Sequence, residues 1–140
     1  LAEYIKENSD KNVYYVDGNT PPINREAYKE MCEQDTTGKT VLVASIKTFG
    51  EGIDLCNIWS IFLVNSAKSE GIIRQICGRG LRKYPGKDKT VLWDFVDQMK
   101  YTENGKFNEN YMWKHYMERK QIYKRQNFPT YEQKIDFKKM

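Results

Sequence analysis

The sequence predicts an α/β fold, an open, mostly parallel sheet with flanking helices, followed by a helical C-terminal extension. Two observations carry this. Four short runs rich in β-branched and aromatic residues, NVYYVD (12–17), TVLVAS (40–45), SIFLVN (60–65) and TVLWDFV (90–96), are nearly continuously apolar. Parallel strands covered on both faces read this way, whereas half-exposed strands alternate. Between the runs lie segments of helical period at about 23–35 and 69–83, with a short helical turn near 47–50. Alternation of strand and helix builds a parallel sheet whose working loops stand at the carboxyl ends of the strands. The length of 140 residues suits one compact core, since a chain of this size buries about two-thirds of its unfolded surface.

The elements follow in order. The first strand leaves through Gly18, Pro21 and Pro22, which punctuate a turn. The stretch TTGKT (36–40) imitates the end of a phosphate-binding loop. Such a loop needs a strand before it and a helix after it. Here a helix precedes and a strand follows, and Glu33 stands where the first glycine belongs. Gly38 is therefore expected as a left-handed helix cap, with Lys39 near the negative helix end. After Asp97 the pattern changes. QMKYTENGKFNEN reads as a polar loop leading into a helix at about 109–126, stopped by Pro129. Domain boundaries are accordingly expected at 1–97 and 98–140.

Charge separates the same two regions. Residues 1–97 hold 13 basic and 14 acidic side chains, whereas 98–140 hold 10 and 5, so the net charge of +4 belongs to the tail. A basic tail with nine interleaved aromatic rings suits either a nucleic-acid surface or a solvated helix whose aromatic stripe docks on the core. Cys32, Cys56 and Cys77 are far apart, without C-x-x-C spacing and with a single histidine, His115, to assist them. They read as reduced packing residues, and no metal site is expected. The polar N-terminus and the lack of an apolar run near the ~20 residues of a membrane span predict a soluble, cytoplasmic protein with no membrane partner. Starting at Leu1 inside an amphipathic helical pattern, the chain reads as a fragment of something longer.

The most pointed constellation is SEGIIRQICGRGLRK (69–83). On a helix at 100° per residue, Gln75, Arg79 and Arg82 fall within ~60° of one another, with Ile73, Ile76, Cys77 and Gly80 opposite. Gly78 and Gly80 within the helix each cost about 1 kcal/mol relative to alanine, which predicts that backbones or a ligand approach closely there.

QICGRGLR (75–82) matches the Q-x-x-G-R-x-x-R pattern of motif VI in superfamily-two helicases, and VLVASIKTFGEGIDL (41–55) resembles their motif V. The two occur in the helicase order with one strand between them. The resemblance covers about 1–97 and implies the second, C-terminal RecA-like lobe of a P-loop NTPase motor. TVLWDFVDQ and the basic helix beyond it are similar to UvsW-like phage DNA helicases, which act in branch migration and DNA repair.

That family binds ATP with Mg2+ between two lobes, and the N-terminal RecA-like lobe supplies the phosphate loop and the metal-binding acids. The resemblance implies that Arg82, with Arg79 beside it, reaches the γ-phosphate as an arginine finger, that Gln75 supports this surface, and that Gly52 and Asp54 belong to the nucleotide side of motif V. Ser45 and Thr48, with Gly18, are implied to hold the backbone of nucleic acid, expected to be single-stranded or branched DNA. Each has a structural competitor: a turn cap for Asp54, a self-satisfied strand-end hydroxyl for Ser45, a plain turn for Gly18. A non-catalytic binding module, and the motor of a restriction or RNA-remodelling enzyme, stand as alternatives. Alone, the chain is expected not to hydrolyse ATP, because half the site is absent.

Overall fold

The computed structural model describes residues 1–135 and, of Glu51 and Gly52, only their place in a helix. It divides into two compact units, Leu1–Asn65 with Gly71–Phe95, and Ser66–Glu70 with the chain from Val96 onward.

The first unit alternates as its apolar runs require: α1 (Ala2–Glu7), β1 (Asn12–Val16), α2 (Pro22–Gln34), β2 (Thr40–Ala44), α3 (Ile46–Gly52), β3 (Ser60–Leu63), α4 (Glu70–Gly80) and β4 (Val91–Asp94). Pro22 at the first position starts α2, its missing N–H being one the helix end leaves unpaired anyway. All sheet pairing in this unit is parallel. β1 runs beside β2 with Val13 opposite Val41, and β3 beside β4 with Phe62 opposite Trp93. The single open sheet expected from the four runs is met only in part. The described strands form two separate parallel pairs, leaving β2 and β3 each with one edge unpaired among the described residues. Strand periodicity reports that a run is extended and covered, not which neighbour it finds.

A core of Val16, Cys32, Ile53, Leu55 and Ile58 nevertheless draws on both pairs, with Leu42, Ala44 and Ile61 packed against it. α4 buries the face its periodicity marks. Ile73 and Ile76 are nearly inaccessible, each contributing about 1.5–3 kcal/mol by burial. The two helix glycines differ. A side chain at Gly80 would meet Ile61 and Thr90 at 3.0 Å, so close packing explains it, whereas one at Gly78 would meet nothing within 4 Å. Close packing by the protein itself thus accounts for Gly80, while the space beside Gly78 is open.

Gly38 is also corrected. It is left-handed, with φ of +68°, but α2 ends four residues earlier at Gln34. The turn between is shaped by Asp35, whose carboxylate accepts from the Thr37 and Thr40 amides at 2.7 Å and from the Thr37 hydroxyl at 2.6 Å. These bonds hold the Asp35 carboxyl well below the usual range. Lys39 pairs with Asp10 at 2.8 Å instead of the helix end.

In the second unit, the stretch expected as a loop is an antiparallel hairpin of β5 (Lys100–Glu103) and β6 (Lys106–Glu109). Asn104 and Gly105, with φ of 50° and 73°, make the tight left-handed connection that suits the strand twist. α5 (Tyr111–Arg125) follows, capped by the Asn110 side chain on the Trp113 amide. It ends at Gln126 and left-handed Asn127, before Pro129 is reached. No described helix is long and apolar enough to cross a membrane.

Candidate nucleotide and nucleic-acid site

The site grows from the carboxyl end of β2. Ser45, extended and exposed, caps α3 by accepting from the Thr48 amide at 3.1 Å, and its hydroxyl donates to the Thr48 hydroxyl at 2.8 Å. Thr48 is buried. The capping bond fixes the first turn of α3 and sets the direction of the segment from Phe49 to Asp54. Of the two hydroxyls carried by the motif, Ser45 alone is presented at the surface.

α4 meets that segment with the residues its polar face predicts. Arg79 donates to the carbonyls of Gly50, at 2.6 Å, and Ile53. Gln75 donates to the Gly50 carbonyl as well. The Arg79 guanidinium also stands 5.6 Å from the centre of the Phe49 ring, a cation–π arrangement. Two side chains of motif VI thus converge on main-chain oxygens of motif V. A Cβ at position 50 would lie 2.9 Å from the Gln75 side-chain oxygen, so any larger residue there would push the end of Gln75 aside. The Nε of Arg79 is buried with no hydrogen-bond partner.

Arg82 departs from the helical placement expected for it. α4 closes at Gly80, and the Leu81 amide bonds the Cys77 carbonyl while the Arg82 amide bonds that of Arg79. Past the helix end, Arg82 forms an ion pair with Asp54. Both partners reach solvent, with 37% of the Arg82 and 71% of the Asp54 side chain exposed. At such exposure the pair contributes little to stability and exchanges readily for another anion. Gly52 is the last residue of α3, and its surroundings lie outside the described residues.

Gly18 stands on the neighbouring β1 exit, in a turn that Asp17 organises by accepting from the Asn19 amide at 2.9 Å and the Thr20 amide at 3.1 Å. Those bonds draw the Asp17 carboxyl below its usual range. A side chain at Gly18 would meet nothing within 4 Å, so protein packing does not demand glycine there.

Three supporting residues carried no recognisable sequence signal or were passed over. Arg25 spans the β1 turn from α2, donating to the carbonyls of Asp17, Gly18 and Thr20 at 2.8–3.1 Å. Glu33 accepts from the Cys56 amide just beyond motif V. Lys87 donates to the carbonyls of Gly80, at 3.0 Å, and Cys56, at 2.7 Å, joining the end of α4 to that same segment. Burial lowers the Lys87 pKa. A cation following a helix C-terminus was the available cue for Lys87. Among the described residues, no group of three or more His, Cys, Asp or Glu is placed to hold a metal ion.

Comparison with known proteins gives the chain its family and fold. The profile of the helicase conserved C-terminal domain family matches residues 1–84. The ATP-dependent DNA helicase uvsW of Enterobacteria phage T4 is 33% identical over 135 residues, 91% of this chain and 26% of the phage protein. The putative ATP-dependent helicase IRC3 of Saccharomyces cerevisiae is 33% identical over 96 residues, 69% of this chain and 13% of the yeast protein. The chain therefore spans about a quarter or less of these relatives. Among solved structures, the C-terminal part of the Fun30 ATPase domain matches with a TM-score of 0.56 at 15% identity, over 89% of this chain and 43% of that one, a likeness of fold.

Proposed function

Because the chain belongs to the helicase conserved C-terminal domain family, as the C-terminal RecA-like lobe of a superfamily-two helicase, we propose that it is the second motor lobe of an ATP-dependent DNA helicase or translocase. Residues 1–97 form the motor lobe, and 98–140 form its basic aromatic extension. The observation that carries the reading is the bonding of motif VI to motif V: Gln75 and Arg79 to Gly50 and Ile53, and Arg82 to Asp54. A nucleotide drawing on the arginines would thereby pull on the segment that Ser45 begins.

The lobe works opposite an N-terminal RecA-like lobe that holds the phosphates and Mg2+. Arg82 is the finger. Its guanidinium is permanently charged, planar and partly exposed, and it exchanges Asp54 for the γ-phosphate of ATP as the lobes close. Charge that builds on the transferring phosphoryl group is offset there. Arg79, with its donors on two carbonyls, acts beside it as the coupler, and Gln75 supports the same carbonyl. Gly52 and Asp54 make the nucleotide side of motif V. On the other side Ser45 turns its one hydroxyl proton from the Thr48 hydroxyl to a backbone phosphate while the Thr48 amide still holds its oxygen, and the vacant side-chain position at Gly18 lets the strand pass. Such contacts grip without reading sequence. Closure and release then shift the grip and drive translocation. DNA is favoured because the match to the phage DNA helicase runs on through the basic tail, and single-stranded or branched DNA is the expected form.

The test joins this chain to a lobe bearing a phosphate loop. ATPase activity stimulated by DNA should appear, and Arg82→Ala should lower it by about 10³-fold or more. Full activity in that variant sinks the assignment.

A further inference from the structure

The extension carries more cations than its own fold uses. α5 holds five Lys or Arg residues and one carboxylate, Glu118. Arg119 is buried and donates to the Ala67 carbonyl at 2.8 Å, and Arg125 pairs with Glu70 at 2.9 Å. Lys120 is balanced by Glu132, which also accepts from the Tyr116 hydroxyl at 2.6 Å. Lys124 is exposed and has no anionic partner among the described residues.

Lys120 and Lys124 stand four residues apart on one face of α5. They open into a cavity of about 360 Å³ that Gln121, Phe128 and Thr130 complete, all within the second unit. Its form comes from the way the helix ends. Left-handed Asn127, with φ of 55°, turns the chain, and the Phe128 amide bonds the Tyr123 carbonyl at 3.1 Å. The half-buried Phe128 ring is thereby brought to the same cavity as the two ammonium groups. Two lysines, an amide and a hydroxyl offer hydrogen-bond donors, and none of the lining residues is acidic.

A flat apolar ring beside a group of cationic donors fits a ligand unit with a π face at one end and an anion at the other. One nucleotide of a single strand has both. In a duplex the bases are stacked on each other and present no free face, and an acidic peptide brings the anion without the face. The volume lies near the lower end of the roughly 300–1,000 Å³ of small-ligand sites, which suits one nucleotide and not a run of several.

We propose that this cavity is a nucleic-acid contact separate from motif V: it takes one nucleotide of a single strand, the base on Phe128 and the phosphate on Lys124 and Lys120. Gln121 and Thr130 donate to phosphate or sugar oxygens. Glu132 is the resident anion that the phosphate displaces from Lys120, and with 42% of the lysine and 52% of the glutamate side chain exposed that exchange costs little. Stacking on a ring tolerates any base, so the contact holds a strand without reading it.

Anisotropy of a short labelled oligothymidylate, titrated with the 140-residue chain, tests it. Phe128→Leu keeps apolar bulk and loses the flat ring, and should weaken binding by about fivefold or more. An abasic strand of the same length should bind the unaltered protein about fivefold or more weaker, and Phe128→Leu should not change its affinity. Lys124→Ala, on an exposed helix face where folding is not at stake, should weaken both strands and lower the slope of log affinity against log salt by about 0.7. Glu132→Gln should tighten binding by about twofold or more. Lys106→Ala in the β5–β6 hairpin makes the same charge change away from the cavity and should have the smaller effect. Equal affinity for the abasic strand would leave a phosphate site only, and equal losses at Lys124 and Lys106 would mean diffuse attraction. Either result, duplex bound as tightly as single strand, or no binding at all, overturns the proposal. No ATP hydrolysis enters these measurements, so they and the Arg82→Ala test succeed or fail independently.

Discussion

The two units bury different kinds of side chain at their centres. In the unit that carries both motifs most of the buried residues are aliphatic, among them Val16, Ile53, Leu55, Leu63, Ile73 and Ile76, beside the Cys32 thiol and the buried polar Thr48. In the unit built on α5 the buried residues are Tyr116, Ile122 and Tyr123 together with a fully buried arginine, Arg119, whose guanidinium stands 5.9 Å from the Tyr116 ring. Burial of aliphatic surface is non-directional and scales with the area removed from water. A buried guanidinium is directional, and its bond to Ala67 holds one turn in one place.

Thiol chemistry probes the aliphatic interior most sharply. Burial pushes the Cys32 thiol up to about 11, with Glu33 and Asp35 adding to the shift, and burial raises Cys77 as well. Alkylation of Cys32 at pH 8 should therefore run about 10²-fold slower than for an ordinary thiol, and unfolding in urea should abolish the difference. The sign for stability follows. Above the ordinary thiol range the unfolded chain loses its proton first, so stability falls as pH climbs from there toward 11. Rapid labelling of Cys32 in the folded protein would break the picture of a dry lobe interior.

The paired glycines of α4 give a smaller effect of opposite signs. Gly80→Ala must displace Ile61 or Thr90 and should cost about 1–3 kcal/mol. Gly78→Ala enters open space within a helix and should stabilise by up to about 1 kcal/mol. Urea unfolding midpoints measure both, and equal shifts of one sign would contradict the packing of α4 on β3.

In the extension, Asn110→Ala removes the cap of α5 and should cost about 1 kcal/mol. Its consequence should be local, with exchange rising in α5 while β1 and β2 stay protected. Equal loosening of β1 and β2 would contradict a cap that acts on α5 alone.

Particular residues show how far sequence reading reached. The four strands, α2, the buried face of α4 and the helical turn after Ser45 were legible because each leaves a local periodic or capping signal. The hairpin of β5 and β6 was missed because its strands are almost wholly exposed and carry no apolar alternation, although Asn-Gly at 104–105 was a usable turn signal. Gly38 was identified as left-handed but placed at the wrong feature, because Asp35 and not the helix end governs that turn.

At the site, the sequence by itself determined that Gln75 and Arg79 share a polar helix face and that motif V precedes motif VI with one strand between. Both follow from spacing along a single chain. Only the tertiary structure decided that Arg79 spends its donors on the carbonyls of Gly50 and Ile53, that Arg82 leaves the helix to find Asp54, that Lys87 ties Gly80 to Cys56, and that Arg119 is buried beneath the turn before α4. The reason is physical. Helix and strand periods are set by bonds between near neighbours in the chain, but a main-chain carbonyl accepts from whichever donor the packing brings to it. That partner can lie 26 residues away for Arg79 or 52 for Arg119, where local pattern holds no information.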